Sequence, residues 1–176
     1  MTRDALIARL ATAGAVASVL LVAATAVYPV IRARLAGRDT AASYAVGERI
    51  DVPASVYERA SHTLVVFAEH GCGACQRMKP MLAALVRAAG QVSSAAVVMV
   101  SPANDRDAQL RYASEIGLDN SRVTALDLTA LRLRRVPTLA VVSPDGRVRY
   151  AHTGAPSSRE EEDEMTRAVL SLLLNR

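Results

Sequence analysis

The chain contains only two cysteines, which stand two residues apart between an apolar run and a segment with helix-forming character. The apolar run covers residues 63–68, and the pair follows as Cys72-Gly73-Ala74-Cys75. A helix that starts here places Cys72 at its N-terminus, where unpaired N–H groups and the helix dipole favour a thiolate. Cys75 then lies one turn further along, within reach of a disulfide. The spacing therefore predicts a pair of thiols that is reversibly oxidised.

Two other uses of the pair fit the same spacing. A zinc site needs four ligands, but the chain has no second Cys-x-x-Cys, and His62, His70 and His152 are far apart in sequence. A purely structural disulfide is the other alternative. We favour the redox pair over both, because a strand-to-helix junction suits a thiol that exchanges.

Several further features accompany the cysteine pair. They are the strand-like residues 63–68, Pro80 five residues after Cys75, the segment Val136-Pro137-Thr138, and Asp145-Gly146 as a hairpin turn that leads to Gly154-Ala155 and a last helix. With these features the chain from Thr63 onward resembles the thioredoxin fold and, within it, the membrane-anchored TlpA-like thiol-disulfide oxidoreductases of bacterial envelopes. A helix-like segment at 106–116 is similar to the insertion that TlpA-like domains carry.

The resemblance implies an α/β fold of the thioredoxin type, with three layers and a mixed central sheet. Apolar periodicity and turn residues predict strands and helices in alternation. The predicted strands are 63–69, 95–101, 122–127, 138–143 and 147–152, and the predicted helices are 73–89, 105–116, 128–134 and 158–174. Residues 50–57, interrupted by Pro53, are predicted to form a short edge element and a turn. The alternation indicates a sheet that is covered on both faces.

The cysteine pair favours disulfide exchange with other proteins. The thiolate of Cys72 attacks a protein disulfide, and Cys75 then resolves the mixed disulfide and releases the reduced partner. This chemistry needs no cofactor. The expected partners are protein thiol or disulfide substrates and an upstream electron donor, and the resemblance implies that the protein acts as a reductase.

The resemblance also implies a substrate-binding segment at Val136 and Pro137. If the bond between them is cis, Pro137 lies against the cysteine pair and leaves the Val136 backbone free to pair with an extended substrate. The alternative is a loop proline that begins a strand. The nearby Arg132, Arg134 and Arg135 are predicted to be solvated charges on a helix face rather than a substrate clamp.

Two residues that precede the motif are predicted to transfer protons during exchange. They are His70, because histidine is the usual side chain for proton transfer at physiological pH, and Glu69, which ends the predicted strand. The chain departs from thioredoxins in two places, with Gly71 where they have a tryptophan and Val66 where they keep a buried acid. Glu69 or a water molecule is expected to substitute for that acid.

Two further functions are compatible with the motif. A thiol peroxidase of related fold would carry a threonine three residues before the reactive cysteine, and Glu69 stands there. A non-enzymatic carrier of a metal such as copper would use both cysteines and a histidine, because soft thiolates suit Cu(I). Copper-chaperone motifs have a wider cysteine spacing, so both alternatives rank behind disulfide exchange.

The N-terminal residues predict a membrane anchor. Residues 10–31 contain no charge, and at 1.5 Å per residue they make about 33 Å of helix, enough to cross a hydrocarbon core of roughly 30 Å. A cleaved signal peptide, with Ala24-Thr25-Ala26 as its cleavage site, is the alternative, but the apolar run continues past that site. We therefore divide the chain into an anchor at 1–33, a linker at 34–48 and a thioredoxin-like domain at 49–176.

Charge does not settle on which side of the membrane the domain lies. Arg3 and Arg9 precede the apolar run, and Arg32, Arg34 and Arg38 follow it. The positive-inside count leans against export, whereas the resemblance implies a single-pass protein of the bacterial inner membrane with its domain on the periplasmic or extracytoplasmic side.

The overall basic character does not indicate nucleic-acid binding. The formal net charge is +4, but only 3% of the residues are aromatic and the arginines are scattered. Nucleic-acid surfaces usually cluster basic residues on one face, and single-strand binders add aromatic platforms. We expect no nucleic-acid partner.

Overall fold

The computed structural model describes residues 43–174 of the chain. The predicted membrane anchor at residues 1–33 and most of the predicted linker lie outside the described residues. Within residues 43–174, no helix combines the length and the apolar character that crossing a bilayer requires.

Among the described residues, five strands form one mixed sheet. The strands are β1 His62–Phe67, β2 Ala95–Ser101, β3 Val123–Ala125, β4 Thr138–Val142 and β5 Val148–Thr153, and the helices are α1 Gly73–Arg77, α2 Lys79–Ala89, α3 Arg106–Glu115 and α4 Arg159–Leu174. The strands lie in the sheet in the order β3-β2-β1-β4-β5. The first three strands are parallel, whereas β4 runs antiparallel to β1 and β5 runs antiparallel to β4. The predicted mixed α/β sheet is confirmed, and its central strand β1 leads directly into the cysteine motif.

The two faces of the sheet are buried by different kinds of structure. On β1, Leu64 belongs to a core that all four helices share. The next residue, Val65, belongs to a second core that is covered by residues 44–57 and by the leucines of residues 126–133. Both faces are therefore covered, as predicted, but helices cover only one of them and irregular chain covers the other.

The first described residues belong to the domain, although residues 34–48 are predicted as a linker. Tyr44 is 1% exposed, and its ring stacks on Phe67 with the ring centroids 5.7 Å apart. Arg49 forms a β-bridge with Arg147, which extends the sheet beside β5. The domain therefore begins no later than residue 43, because this segment packs on strands that come much later in the chain.

The predicted helix 73–89 is divided into α1 and α2, which meet at Met78. Pro80 explains the division, because proline has no N–H and its ring collides with the carbonyl four residues earlier in a continuous helix. The N–H of Met78 still bonds to the carbonyls of Ala74 and Cys75, at 3.3 and 3.2 Å. The first helix therefore ends less than one turn after Cys75.

The predicted helix 128–134 is wrong beyond Ala130. Residues Leu128–Ala130 make one 3-10 turn, and Leu131 is already extended, with φ −89° and ψ 156°. The chain from there to Pro137 is a loop, which we call the 131–137 loop. Its arginines therefore do not lie on a helix face.

In a helix the N–H groups of this segment would donate to backbone carbonyls. In the loop they donate instead to side chains of the N-terminal segment. The backbone N–H of Arg132 donates to Asp51 Oδ2 at 2.6 Å, and that of Arg134 donates to Ser43 Oγ at 3.1 Å. Both acceptors lie more than 80 residues earlier in the chain, at separations of 81 and 91 residues. Local sequence patterns cannot reveal such contacts, which is why the helix prediction fails here.

Candidate active site

Cys72 lies at the start of α1, in the turn that leaves β1. Its N–H donates to the carbonyl of Glu69 at 3.1 Å and closes this turn. Its Sγ accepts the N–H of Cys75 at 3.1 Å, in the manner of an N-cap residue. Cys72 therefore occupies the helix-N-terminal position that the sequence predicts, with a backbone N–H directed at its sulfur.

The two thiols have unequal access to solvent. Both are free in this structure, but Cys72 is half-buried, whereas Cys75 is 0% exposed and belongs to the helix-side core. Burial, with a contribution from the hydrogen bond to Cys72, raises the pKa of Cys75 to about 12. A partner molecule can therefore reach the sulfur of Cys72 but not that of Cys75.

The segment before β4 closes the site from the other side. The Val136–Pro137 peptide bond is cis, and the thiol of Cys72 lies 3.7 Å from the carbonyl oxygen of Val136. Pro137 is buried and Val136 is half-buried. The structure thus brings together Cys72, Cys75, Val136 and Pro137, the four residues that the sequence predicts for catalysis and substrate binding.

A cluster of three hydroxyl groups fixes the end of the 131–137 loop. Thr138 donates to the carbonyl of Arg135 at 2.8 Å, and its Oγ1 lies 3.1 Å from Oγ1 of Thr153. Ser43 completes the cluster, because its N–H donates to Thr153 Oγ1 at 2.9 Å and its Oγ lies 3.1 Å from the same atom. The residue after Pro137 is therefore tied to the first described residue of the chain.

Glu69 and His70 contribute their backbones to the site. The carbonyl of His70 accepts a hydrogen bond from Gln76 Nε2 at 2.5 Å, and the carbonyl of Glu69 accepts the N–H of Cys72. Among residues 43–174, neither side chain forms a hydrogen bond with a cysteine. His70 is exposed and Glu69 is half-buried, so the predicted proton-handling role of each remains a prediction.

Two residues of α3 support the motif and were not predicted as site residues. Gln109 is 3% exposed, and its Oε1 accepts the N–H of His70 at 2.9 Å. Tyr112 is 0% exposed and donates to the carbonyl of Cys75 at 2.8 Å. Burial, followed by the charges of the nearby thiolates, raises the pKa of Tyr112. A polar Gln109 on the buried face of the predicted helix was the available signal, but its partner could not be identified from sequence.

An ion pair joins α2 to α3 beside these residues. Lys79 Nζ contacts the carboxylate of Glu115 and also lies 5.1 Å from the centre of the Tyr112 ring. The hydrogen bond from Lys79 holds the pKa of Glu115 below its usual value. Lys79, the only lysine in the chain, therefore serves a structural contact between α2 and α3.

The metal alternatives find no ligand set in this part of the chain. Across residues 43–174, no group of three or more His, Cys, Asp or Glu side chains is placed to hold a metal ion. His152 instead lies 4.0 Å from Glu161 on α4. The described residues therefore do not assemble the four ligands of a zinc site around Cys72 and Cys75.

The family comparison covers most of the domain. A family model described as a thioredoxin-like domain matches residues 54–169. That range includes both cysteines, the α3 helix and the 131–137 loop. Among curated proteins, none matches the chain significantly.

Solved structures share the fold at low sequence identity. A Chlorobium tepidum protein assigned as a thiol:disulfide interchange protein DsbE is 17% identical, with a TM-score of 0.57 over 73% of this chain and 98% of that chain. A thiol:disulfide interchange protein from Bacteroides sp. is 16% identical, with a TM-score of 0.54 over 76% and 93%. The thioredoxin domain of a thiol-disulfide oxidoreductase from Bacteroides vulgatus is 15% identical, with a TM-score of 0.53 over 72% and 99%. At such identities the likeness establishes the fold alone.

Proposed function

Because the chain belongs to the thioredoxin-like domain family, we propose that it is a thiol-disulfide oxidoreductase tethered to a membrane by its N-terminal residues. Cys72 and Cys75 exchange disulfides with protein substrates, and the physiological direction is reduction. The observation that carries this proposal is the unequal exposure of two thiols at one helix N-terminus, with Cys72 accessible and Cys75 fully buried.

The reaction begins when the Cys72 thiolate attacks one sulfur of a substrate disulfide. The substrate S–S bond breaks, its other sulfur leaves as a thiolate and takes up a proton, and a mixed disulfide joins Cys72 to the substrate. The thiolate of Cys75 then attacks Cys72 Sγ and releases the second substrate thiol. Two electrons have passed to the substrate, so a dithiol donor must reduce the Cys72–Cys75 disulfide before the next cycle.

The substrate binds along the segment that faces Cys72. Among residues 43–174 the Val136 carbonyl has no hydrogen-bond partner other than the Cys72 thiol at 3.7 Å, so it can accept a hydrogen bond from the backbone of an extended substrate. Pro137, buried behind it, sets the path of this segment. A backbone contact of this kind gives affinity without requiring a particular substrate side chain.

The second step requires a proton acceptor, because Cys75 has a pKa raised to about 12. We assign this task to Glu69 or His70, acting through water. Glu69 lies three residues before Cys72 and His70 lies two before it, so both flank the turn that carries the nucleophile. Replacing each by Gln or Asn should shift the pH dependence of exchange if it accepts the proton.

The tether places the activity at the bacterial inner membrane, with the domain on the extracytoplasmic side. The uncharged residues 10–31 support the tether, and an oxidising compartment suits a chain that has no cysteine beyond the pair. Reporter fusions after Arg176 test the orientation. Activity from a reporter that works only in the cytoplasm would reverse it.

Trapping variants test the exchange mechanism. Cys75→Ser removes the resolving thiol, so Cys72 mixed disulfides with partners should accumulate as reductant-sensitive bands of higher mass on non-reducing gels. The matched variant Cys72→Ser should give only the monomer. Equal clean monomer bands from both variants would contradict the mechanism, and adducts on Cys72→Ser alone would exchange the two roles.

A further inference from the structure

The 131–137 loop, whose Val136 carbonyl lies 3.7 Å from Cys72 Sγ, carries three arginines that differ in their surroundings. The guanidinium of Arg132 lies 3.5 Å from carboxylate oxygens of Glu48 and Asp51, and it also donates to the carbonyl of Arg49 at 2.6 Å. Its charge is therefore compensated within the domain.

Within the described part of the chain, Arg134 and Arg135 have no such compensation. Both are exposed, and neither takes part in the ion pairs found among residues 43–174. Their backbone is nevertheless fixed, because the N–H of Arg134 is bonded to Ser43 at 3.1 Å and the carbonyl of Arg135 accepts from Thr138 at 2.8 Å. Two positive charges are thus presented from an ordered backbone rather than from a helix face.

We propose that Arg134 and Arg135 select substrates in which acidic residues flank the reacting cysteine. This inference rests on the proposed function, since it concerns the substrates of the same site. The partner is an extended protein segment with Asp or Glu within a few positions of its disulfide. Segments with Lys or Arg at those positions are repelled.

The position of the two arginines favours a protein segment as the partner. Arg135 is joined directly to Val136, whose carbonyl lies 3.7 Å from Cys72 Sγ, so a segment that reaches the sulfur passes along this loop. In an extended segment, residues one to three positions from the cysteine lie about 3 to 10 Å from it. That range is comparable to the screening length of roughly 8 Å at physiological salt, so their charges are felt at the loop.

The test compares three peptide disulfides that differ only in the residues beside the cysteine, which are Asp, Ser or Lys. The full chain in neutral detergent, kept reduced by dithiothreitol, should reduce the Asp peptide roughly tenfold faster than the Lys peptide at low salt, because each exposed charge pair contributes modestly and the two add. High salt should reduce this ratio. In Arg134→Gln/Arg135→Gln the two peptides should react within about twofold of each other.

A matched control removes the same charge from the other end of the sheet. Arg87 lies in the last turn of α2 and Arg122 precedes β3, so both are remote from the carboxyl end of β1. Arg87→Gln/Arg122→Gln should retain the preference for the Asp peptide. Loss of the preference in this control would mean that overall charge, not the loop, sets it, and would overturn the inference.

The Ser peptide distinguishes failure of the charge inference from failure of the proposed function. If it is reduced by the unmodified chain but not by Cys72→Ser, and all three peptides react equally, the proposed function stands and the charge inference is overturned. If no peptide is reduced, both are overturned. If the ratio is absent in neutral detergent and arises only in vesicles of anionic phospholipid, the arginines serve the lipid surface, and the inference is again overturned.

Discussion

The two chain segments that meet at Cys72 are held in place by different kinds of contact. The turn that carries the cysteines is supported from inside the domain, by buried side chains of α3. The 131–137 loop is supported from outside, by half-buried side chains of the N-terminal segment. Burial removes competition from water, so the first kind of contact is harder to replace by solvent than the second. The reacting sulfur thus lies on the more firmly held side of the site, and the substrate contact lies on the less firmly held side.

The largest loss of stability is expected from removing Tyr112, one of the buried α3 side chains that support the cysteine turn. Tyr112→Ala should lower the free energy of unfolding by about 3 to 5 kcal/mol, because it empties the space of a fully buried aromatic side chain. Urea unfolding of the full chain in mild detergent, followed by circular dichroism, measures this loss. Tyr112→Phe keeps the ring and removes only the hydrogen bond to Cys75, so it should cost about 1 kcal/mol. Equal losses from the two variants would mean that packing of this ring does not hold the motif.

A smaller loss of stability is expected at high pH, because the buried thiol of Cys75 resists losing its proton. Burial raises the pKa of Cys75 from the ordinary thiol value of 9.0 to about 12, so the unfolded state loses this proton first as the pH rises. Stability from this group is complete below pH 9 and declines between pH 9 and pH 12. At pH 10 the reduced protein should have lost on the order of 1 kcal/mol more than Cys75→Ser has.

The comparison with Cys75→Ser isolates the thiol, because the buried tyrosines titrate in both proteins. Urea unfolding of each protein at pH 8 and at pH 10 gives the free energy of unfolding that each one loses over this interval. A reduced protein and a Cys75→Ser variant that lose the same stability over this interval would show that the thiol is not held protonated by burial.

Removing Ser43, which supports the 131–137 loop, is expected to have the smallest effect on stability and a selective effect on activity. Ser43→Ala removes the hydroxyl that accepts the N–H of Arg134, at a cost of about 1 kcal/mol. The KM for a protein disulfide should rise a few-fold, because the 131–137 loop is less well placed, while reduction of a small aromatic disulfide stays unchanged. Ser171→Ala, which loses only a local bond on α4, is the control. Equal slowing of the small and the protein disulfide by Ser43→Ala would show that the loop and the motif are not separately supported.

The inner side of the site is the part that sequence predicts best. The cysteine spacing, the preceding apolar run and Pro80 are all local signals, and they locate β1, the start of α1 and the position of Cys72. Pattern also locates α3, but it does not identify Tyr112 as the partner of the Cys75 carbonyl. Periodicity assigns a residue to a buried face without specifying which polar group it meets there.

The outer side is where sequence prediction fails. In the part of the chain that the structure describes, the linker prediction fails for residues 43–48 and the helix prediction fails beyond Ala130, and the two failures share one cause, because Ser43 binds the 131–137 loop. No local pattern in either segment indicates this contact. Their contacts join residues as far apart as Ser43 and Arg134, and only the folded chain brings such acceptors and donors together.

The N-terminal segment that covers the second face of the sheet is synthesised long before that sheet is complete. Ser43 leaves the ribosome 110 residues ahead of Thr153, the partner of its N–H. At about 5 to 20 residues per second, the wait is about 5 to 20 s. During that time Tyr44 and the residues after it have no finished sheet to cover. The segment that is synthesised first can therefore pack in place only after β5, the last strand of the sheet, has been made.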